Sequence, residues 1–189
     1  MIIIGLVGCK RVGKDTFADI LIEELGKESY HIERYNLARP LYKLAADIFK
    51  LPLKTVKLLT NSETPILGDI SMRDVLKNAA LSLGKKFIID KAEEFIATTN
   101  ADIVVITDVR KQIEADFIRN NGGYLICLKR DEIVCDEYEV TVGTPNIECE
   151  FNVTNIPMHE LRDKARNIAN LIKYSMEGFD ERGNIQSIF

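Results

Sequence analysis

Apolar positions along this chain follow two rhythms that take turns. Ile2, Ile3, Ile4, Leu6 and Val7 make a nearly continuous aliphatic run, which suits a strand buried on both faces of a parallel sheet. Gly8 to Gly13 interrupts it. From Lys14 the period becomes helical: Phe17, Leu21, Ile22 and Leu25 share one face, and Gly26 supplies a stop. His31 to Leu37 predicts a second strand. Pro40 to Phe49 predicts a helix with Leu41, Leu44, Ala45 and Ile48 inward. Pro52, Pro65 and Gly68 punctuate the next stretch, which predicts a short helix and an irregular loop. Ser71 is placed to N-cap a helix carrying Val75, Leu76, Ala79 and Leu83, closed by Gly84. Phe87 to Thr98 reads as a further helix.

The second half repeats the alternation. Ile103 to Ile106 is another buried-strand run, closed by Asp108. Lys111 to Asn121 predicts a helix with Ile113, Phe117 and Ile118 inward, stopped by Gly122 and Gly123. Tyr124 to Leu128 and Phe151 to Val153 predict strands, and the acid-rich stretch Asp131 to Glu150 between them has no clear period. Met158, Leu161, Ala165, Ile168 and Ile172 then mark an amphipathic final helix, a stripe that reads as core or as an interface. The tail after Gly178 predicts no element. Strands alternating with helices imply an α/β fold around a mainly parallel sheet. Ligands of such sheets bind beyond the carboxyl ends of the strands, where Gly8 to Thr16 and Asp108 to Arg110 both fall.

Composition narrows the function. A chain of 189 residues fits one domain, 1–189. A net charge of −4 argues against a nucleic-acid polymer as partner, which calls for excess clustered Lys and Arg. No stretch reaches the length of a spanning helix, so no membrane partner and a cytoplasmic location are expected. Cys9, Cys127, Cys135 and Cys149 lack CxxC spacing, and free thiols are expected. His31 and His159 stand in no motif and read as surface residues.

Gly8-Cys9-Lys10-Arg11-Val12-Gly13-Lys14-Asp15-Thr16 is G-x-x-x-x-G-K, with Asp where Ser or Thr is usual. The glycines allow successive N–H groups to converge on one anion, and the following helix adds its positive end. This predicts a phosphate loop: Gly8, Lys10, Arg11, Val12, Gly13, Lys14, Asp15 and Thr16 bind ATP, with Lys14 on the β- and γ-phosphates. Asp15 offers a hard oxygen to Mg²⁺ in place of the usual hydroxyl, and Thr16 offers the hydroxyl instead. Asp108, at the end of a buried strand, has two readings: an acid that holds Mg²⁺ or its waters, or an N-cap of the next helix. Arg110 and Glu114, four apart, predict a surface ion pair.

In order, GLVGCKRVGKDTFA, NLARPLYKLAADIFKL, SMRDVLKNAALSLG and VVITDVRKQIEADFIRNNGGYLICLKR resemble the motif series of the bacteriophage-type deoxynucleoside monophosphate kinases, adenylate-kinase-like P-loop enzymes. The matching positions are Ala38, Pro40, Leu41 and Lys43; Arg73 and Leu76; and Asp108, Arg110, Glu114, Gly122, Gly123 and Arg130. The resemblance spans Met1 to Arg130. It implies a three-layer P-loop NTPase fold with a helical acceptor-binding region near 38–100 and a short lid near 131–150. It implies ATP- and Mg²⁺-dependent phosphorylation of a (deoxy)nucleoside monophosphate, in the host cytoplasm if the gene is a phage's, with a homodimer as an open possibility. By the same analogy Lys14, Arg130 and Asp108 are catalytic, Asp15 and Asp108 hold the metal, and Arg39, Lys43, Arg73, Arg110 and Glu114 bind the acceptor. Arg39 stands where the family has Asp, Met72 where it has Pro and Lys77 where it has Gln, and the family's His-x-Ser-Glu is not evident in Thr144 to Glu150. A different small acceptor, or a non-catalytic nucleotide-binding module, therefore remains an open alternative.

Overall fold

The computed structural model describes residues 1–62 and 64–177, so the tail lies outside the described residues. In chain order the first elements are β1 (Ile2–Val7), α1 (Lys14–Leu25), β2 (Ile32–Tyr35), α2 (Arg39–Phe49), α3 (Leu53–Ser62), β3 (Pro65–Leu67) and β4 (Ile70–Ser71). They are followed by α4 (Met72–Leu83), α5 (Lys85–Thr98), β5 (Ile103–Val109), α6 (Gln112–Asn120), β6 (Tyr124–Lys129), α7 (Glu137–Thr141), β7 (Phe151–Thr154) and α8 (Met158–Glu177). The fold is α/β, as the alternating pattern predicts. Its contacts cluster into two compact units: one of residues 1–34 with those from Asn100 onward, the other of Tyr35–Thr99.

The first unit is built on a five-stranded sheet in the order β2-β5-β1-β6-β7. β1 pairs in parallel with β5 and β6, and β6 in parallel with β7. Ile3, Ile4, Leu6 and Val7 are each at most 1% exposed, because β1 is central and both its faces are covered. The chain leaves β1 toward β2 and β5, then crosses from β5 to β6 on the opposite side. That reversal opens a crevice at the carboxyl end of β1. Gly123 lets β6 come in beside β1, since a Cβ there would sit 2.3 Å from the Ile3 carbonyl oxygen.

On the sheet, α1 contributes Phe17, Ala18, Leu21 and Leu25 to one core with Leu161, Ala165, Ile168, Ala169 and Ile172 of α8. The stripe of α8 is thus core. Each large side chain so buried contributes about 1.5–3 kcal/mol. Glu24 pins the pair: its buried carboxylate accepts from Lys27, Arg162 and Arg166, which hold it far below the usual carboxylate range, at about 2. Ile113 departs from expectation at 37% exposed, because Glu114 takes the inward position of the first turn of α6.

In the second unit the packed rows are narrow. α2 buries Leu41 and Ala45, whereas Leu44 and Ile48 are 37% and 63% exposed. Ser71 caps α4 as expected, in a reciprocal box with Asp74. The irregular loop predicted after α3 contains an antiparallel hairpin, β3–β4, whose strands are too short to carry a period of two. Tyr35 stacks on Phe95 at 4.3 Å between ring centroids.

The expectation of free thiols is corrected. The structure joins Cys9 to Cys135 and Cys127 to Cys149, with Cα separations of 5.0 and 5.7 Å. The partners are 126 and 22 residues apart in sequence, and spacing along a chain carries no sign of a contact made by folding. Both histidines are exposed, as expected, and no helix among the described residues is long and apolar enough to cross a membrane.

Candidate active site

β1 delivers the chain into a loop whose first residue has no room for a side chain. Gly8 has φ 147°, and a Cβ there would lie 2.5 Å from the Leu128 carbonyl oxygen of β6. Arg11 and Gly13 are also left-handed, at φ 69° and 99°. The Val12 N–H turns back to the Cys9 carbonyl at 3.3 Å, and no side chain caps the amides that open α1. Curled backbone and helix N-terminus together make an anion-binding concavity. The Lys14 ammonium folds over it, donating to the carbonyls of Gly8 at 2.6 Å and Cys9 at 2.8 Å. Burial, and then the Arg110 guanidinium, lower its pKa to about 8, against pulls upward from Glu139, Asp15 and Asp108.

Asp15 and Thr16 are exposed at the start of α1. The Asp15 carboxylate pairs with Arg34, which also donates to Asp19 at 2.8 Å. Asp108 lies inside β5, one residue before Val109, the register partner of Val7. The acid is therefore level with the mouth of the loop. Asp108 does not cap α6; Lys111 holds that position.

The predicted surface pair of Arg110 and Glu114 is corrected. Glu114 is 7% exposed and accepts from the backbone N–H groups of Arg110 at 2.7 Å and Lys111 at 3.1 Å. It is drawn inward to satisfy amides at the start of α6, and burial raises its pKa. The side chain of Arg110 turns instead to Glu139, at 3.0 Å. Arg130, at the end of β6, has a guanidinium nitrogen 3.9 Å from where a Gly13 Cβ would be. It lines a small pocket with Val12, Gly13, Thr16, Lys129 and Ile156.

Glu139 is the residue that pattern reading missed. It is fully buried. One carboxylate oxygen accepts from the Lys10 N–H at 2.7 Å and from Arg110; the other accepts from the Asp136 N–H at 3.1 Å, within the capping box of α7. Asp136 followed three residues later by Glu139 was the available signal, but it marks a helix start and says nothing of what the carboxylate meets.

The structure thus gathers Gly8, Lys10 to Thr16, Asp108, Arg110 and Arg130 in the first unit, with Glu114 behind Arg110. Arg39, Lys43 and Arg73 belong to the other unit: Arg39 and Lys43 are exposed on α2, and Arg73 is partly buried in the first turn of α4.

No family model matches the chain. An Acanthamoeba polyphaga mimivirus protein named "Putative deoxynucleotide monophosphate kinase" is 33% identical, over 72% of this chain and 78% of the relative. Among solved structures, a gluconokinase from Sinorhizobium meliloti 1021 covers 93% of this chain and 95% of its own, at 12% identity and a TM-score of 0.50. The APS kinase CysC of Mycobacterium tuberculosis covers 91% and 96%, at 12% identity and a TM-score of 0.48. The gluconokinase likeness concerns the fold alone, whereas the mimivirus relative shares a third of the residues across most of both chains. On that likeness, which agrees with a phosphate loop at the switch point of a parallel sheet, the chain is a P-loop kinase of a small substrate and belongs to the deoxynucleotide monophosphate kinase family.

Proposed function

We propose that the protein transfers the γ-phosphoryl group of ATP to a deoxynucleoside monophosphate, giving ADP and the nucleoside diphosphate. The observation that carries this reading is the loop from Gly8 to Lys14: left-handed at three positions, closed to a Cβ at Gly8, and covered by the Lys14 ammonium. Such a nest binds anions, and phosphates are its usual occupants. The family likeness supplies the acceptor.

The acceptor's phosphate is already an oxyanion, so the reaction needs positioning and charge neutralisation rather than a general base. An acceptor oxygen bonds to the γ-phosphorus as the bond to the β–γ bridging oxygen breaks, and ADP leaves with that electron pair. Lys14 moves from the loop carbonyls to the β- and γ-phosphates, whose charge draws its pKa back up. Arg130, beside Gly13, offsets charge on the group in transfer. Arg110 grips the acceptor phosphate in a bidentate contact, and Glu114 fixes the backbone from which it reaches. On the family pattern Arg39, Lys43 and Arg73, of the second unit, are acceptor-binding residues. Asp108 and Asp15 would hold Mg²⁺, with the Thr16 hydroxyl as the alternative ligand; the metal's charge offsets that of the phosphates. Residues 131–150, joined to the loop through Glu139 and Cys135, serve as the lid that keeps out water.

The test is a coupled ADP-release assay with ATP and Mg²⁺ across the common ribo- and deoxyribonucleoside monophosphates. Turnover on at least one deoxynucleotide is expected. Turnover confined to a non-nucleotide acceptor would replace the acceptor while keeping the kinase, and ATP binding without any turnover would make the chain a binding module.

A further inference from the structure

An anion-binding nest in this chain is met by an anion of its own. The Glu139 carboxylate accepts from the Lys10 N–H on the loop and from Arg110, two groups that the proposed reaction needs for phosphate. Glu139 is carried by α7, which starts directly after Cys135 and Asp136. Cys135 is bonded to Cys9, the second residue of the phosphate loop. The two sulfurs and a Glu139 oxygen all lie within 4.8 Å of one another, and both cysteines are partly exposed. The disulfide therefore ties α7 to the loop at the place where its carboxylate is seated.

We propose that Cys9 and Cys135 form a reversible thiol–disulfide site that gates nucleotide binding, a proposal that rests on the reading of the loop as the ATP site. In the disulfide form Glu139 is held as a stand-in for phosphate. In the dithiol form α7 is released, and ATP competes with an untethered carboxylate. The oxidant is a low-molecular-weight disulfide of the glutathione class. One protein thiolate attacks it to give a mixed disulfide and one free thiol. The second protein thiolate then displaces the other half. Two protein thiols and one small disulfide become one protein disulfide and two small thiols, and the released thiols carry both protons. A tethered carboxylate acts at an effective concentration in the millimolar range, so closing the disulfide should weaken ATP binding by about tenfold or more. The coupling is reciprocal: saturating ATP should shift the reduced-to-oxidised ratio at half conversion by the same factor. Cys127–Cys149 joins β6 to the segment before β7 and serves as the internal control.

The experiment equilibrates the full chain in reduced and oxidised glutathione, maps the cysteine pairs by alkylation and peptide mass, and measures ATP affinity by calorimetry in each state. Oxidised protein should bind about tenfold more weakly, and dithiothreitol should restore it. Cys135→Ser should bind like reduced protein in both buffers, while Cys149→Ser should still switch. Equal affinity in the two states, no Cys9–Cys135 crosslink, or a Cys135→Ser protein that still switches would each overturn the gate while leaving the nucleotide site in place. Failure of both states to bind ATP would remove the ATP reading and the gate with it. Should Cys135→Ser fail to fold, the ATP-dependent shift of the redox midpoint in the unaltered protein decides the matter alone.

Discussion

The unit built on the five-stranded sheet buries whole aliphatic runs, Ile3 to Val7 and Ile103 to Ile106, whereas the unit of residues Tyr35–Thr99 buries single rows such as Leu41 and Ala45 and leaves Ile48, Leu58 and Leu81 at least 60% exposed. Their candidate functional groups differ in the same way. In the first unit the site is largely backbone, the loop from Gly8 to Gly13, aimed by strands that cannot shift without unpacking a core. In the second it consists of long cationic side chains, Arg39, Lys43 and Arg73, on helices. Phosphate binding can therefore be argued from geometry, while acceptor binding rests on family pattern. The difference suits a kinase that grips one constant triphosphate and discriminates among acceptors.

Four measurements break or sharpen that contrast. The largest effect should come from Lys14→Ala, which removes the ammonium folded over the loop carbonyls. Loss of that ammonium should lower kcat/KM by about 10²–10³-fold with an unchanged circular dichroism spectrum. Near-normal turnover would mean that the loop is not where transfer occurs.

Next, Glu24→Gln should separate scaffold from site. Removing the buried carboxylate from its half-exposed partners Lys27, Arg162 and Arg166 should cost about 2 kcal/mol in urea unfolding while kcat and both KM values stay near wild type. The pH dependence follows from its depressed folded pKa. Glu24 stabilises the wild type fully above the ordinary value of 4.5, and that contribution is lost as pH falls from 4.5 toward about 2. The variant should lack that part of the acid transition.

Arg73→Ala and Arg110→Ala probe one residue from each unit. Both should raise the acceptor KM by about 10–100-fold, the worth of a charge-assisted contact to phosphate, with ATP affinity little changed. An effect from Arg110 alone would confine acceptor binding to the sheet unit.

The smallest effect is a slope. Free Lys14 loses its proton near pH 8, and bound phosphate requires it charged. Above about pH 8, ATP binding must therefore take up a proton, and affinity should fall by about tenfold per pH unit. Calorimetry in buffers of different ionisation enthalpy would detect the uptake. The acceptor KM should stay flat over that range, because arginine does not titrate there.

Legibility followed the same division. β1 and β5 were readable because a run of four or more buried aliphatics stands clear of noise, α1 and α8 because their apolar stripes keep helical spacing, and the phosphate loop because Gly8, Gly13 and Lys14 stand at fixed offsets where β1 gives way to α1. The Ser71 cap was readable because capping is a contact between near neighbours in sequence. α7 and the β3–β4 hairpin were not, since elements of two to five residues complete no period. Glu114 was misplaced for another reason. Its spacing from Arg110 fitted a surface pair equally well, and only the inward turn of α6 decided that the carboxylate serves backbone amides.

By itself the sequence determined the α/β order, the strand–loop–helix that forms the phosphate nest, and the acid near the end of β5, because each is set by neighbours within a few residues. Tertiary structure alone decided that Cys9 meets Cys135, that Glu24 locks α1 to α8, and that Glu139 sits on the Lys10 amide. Those contacts join positions more than a hundred residues apart, and their closeness comes from how the sheet stacks its strands, which no local pattern of residues encodes.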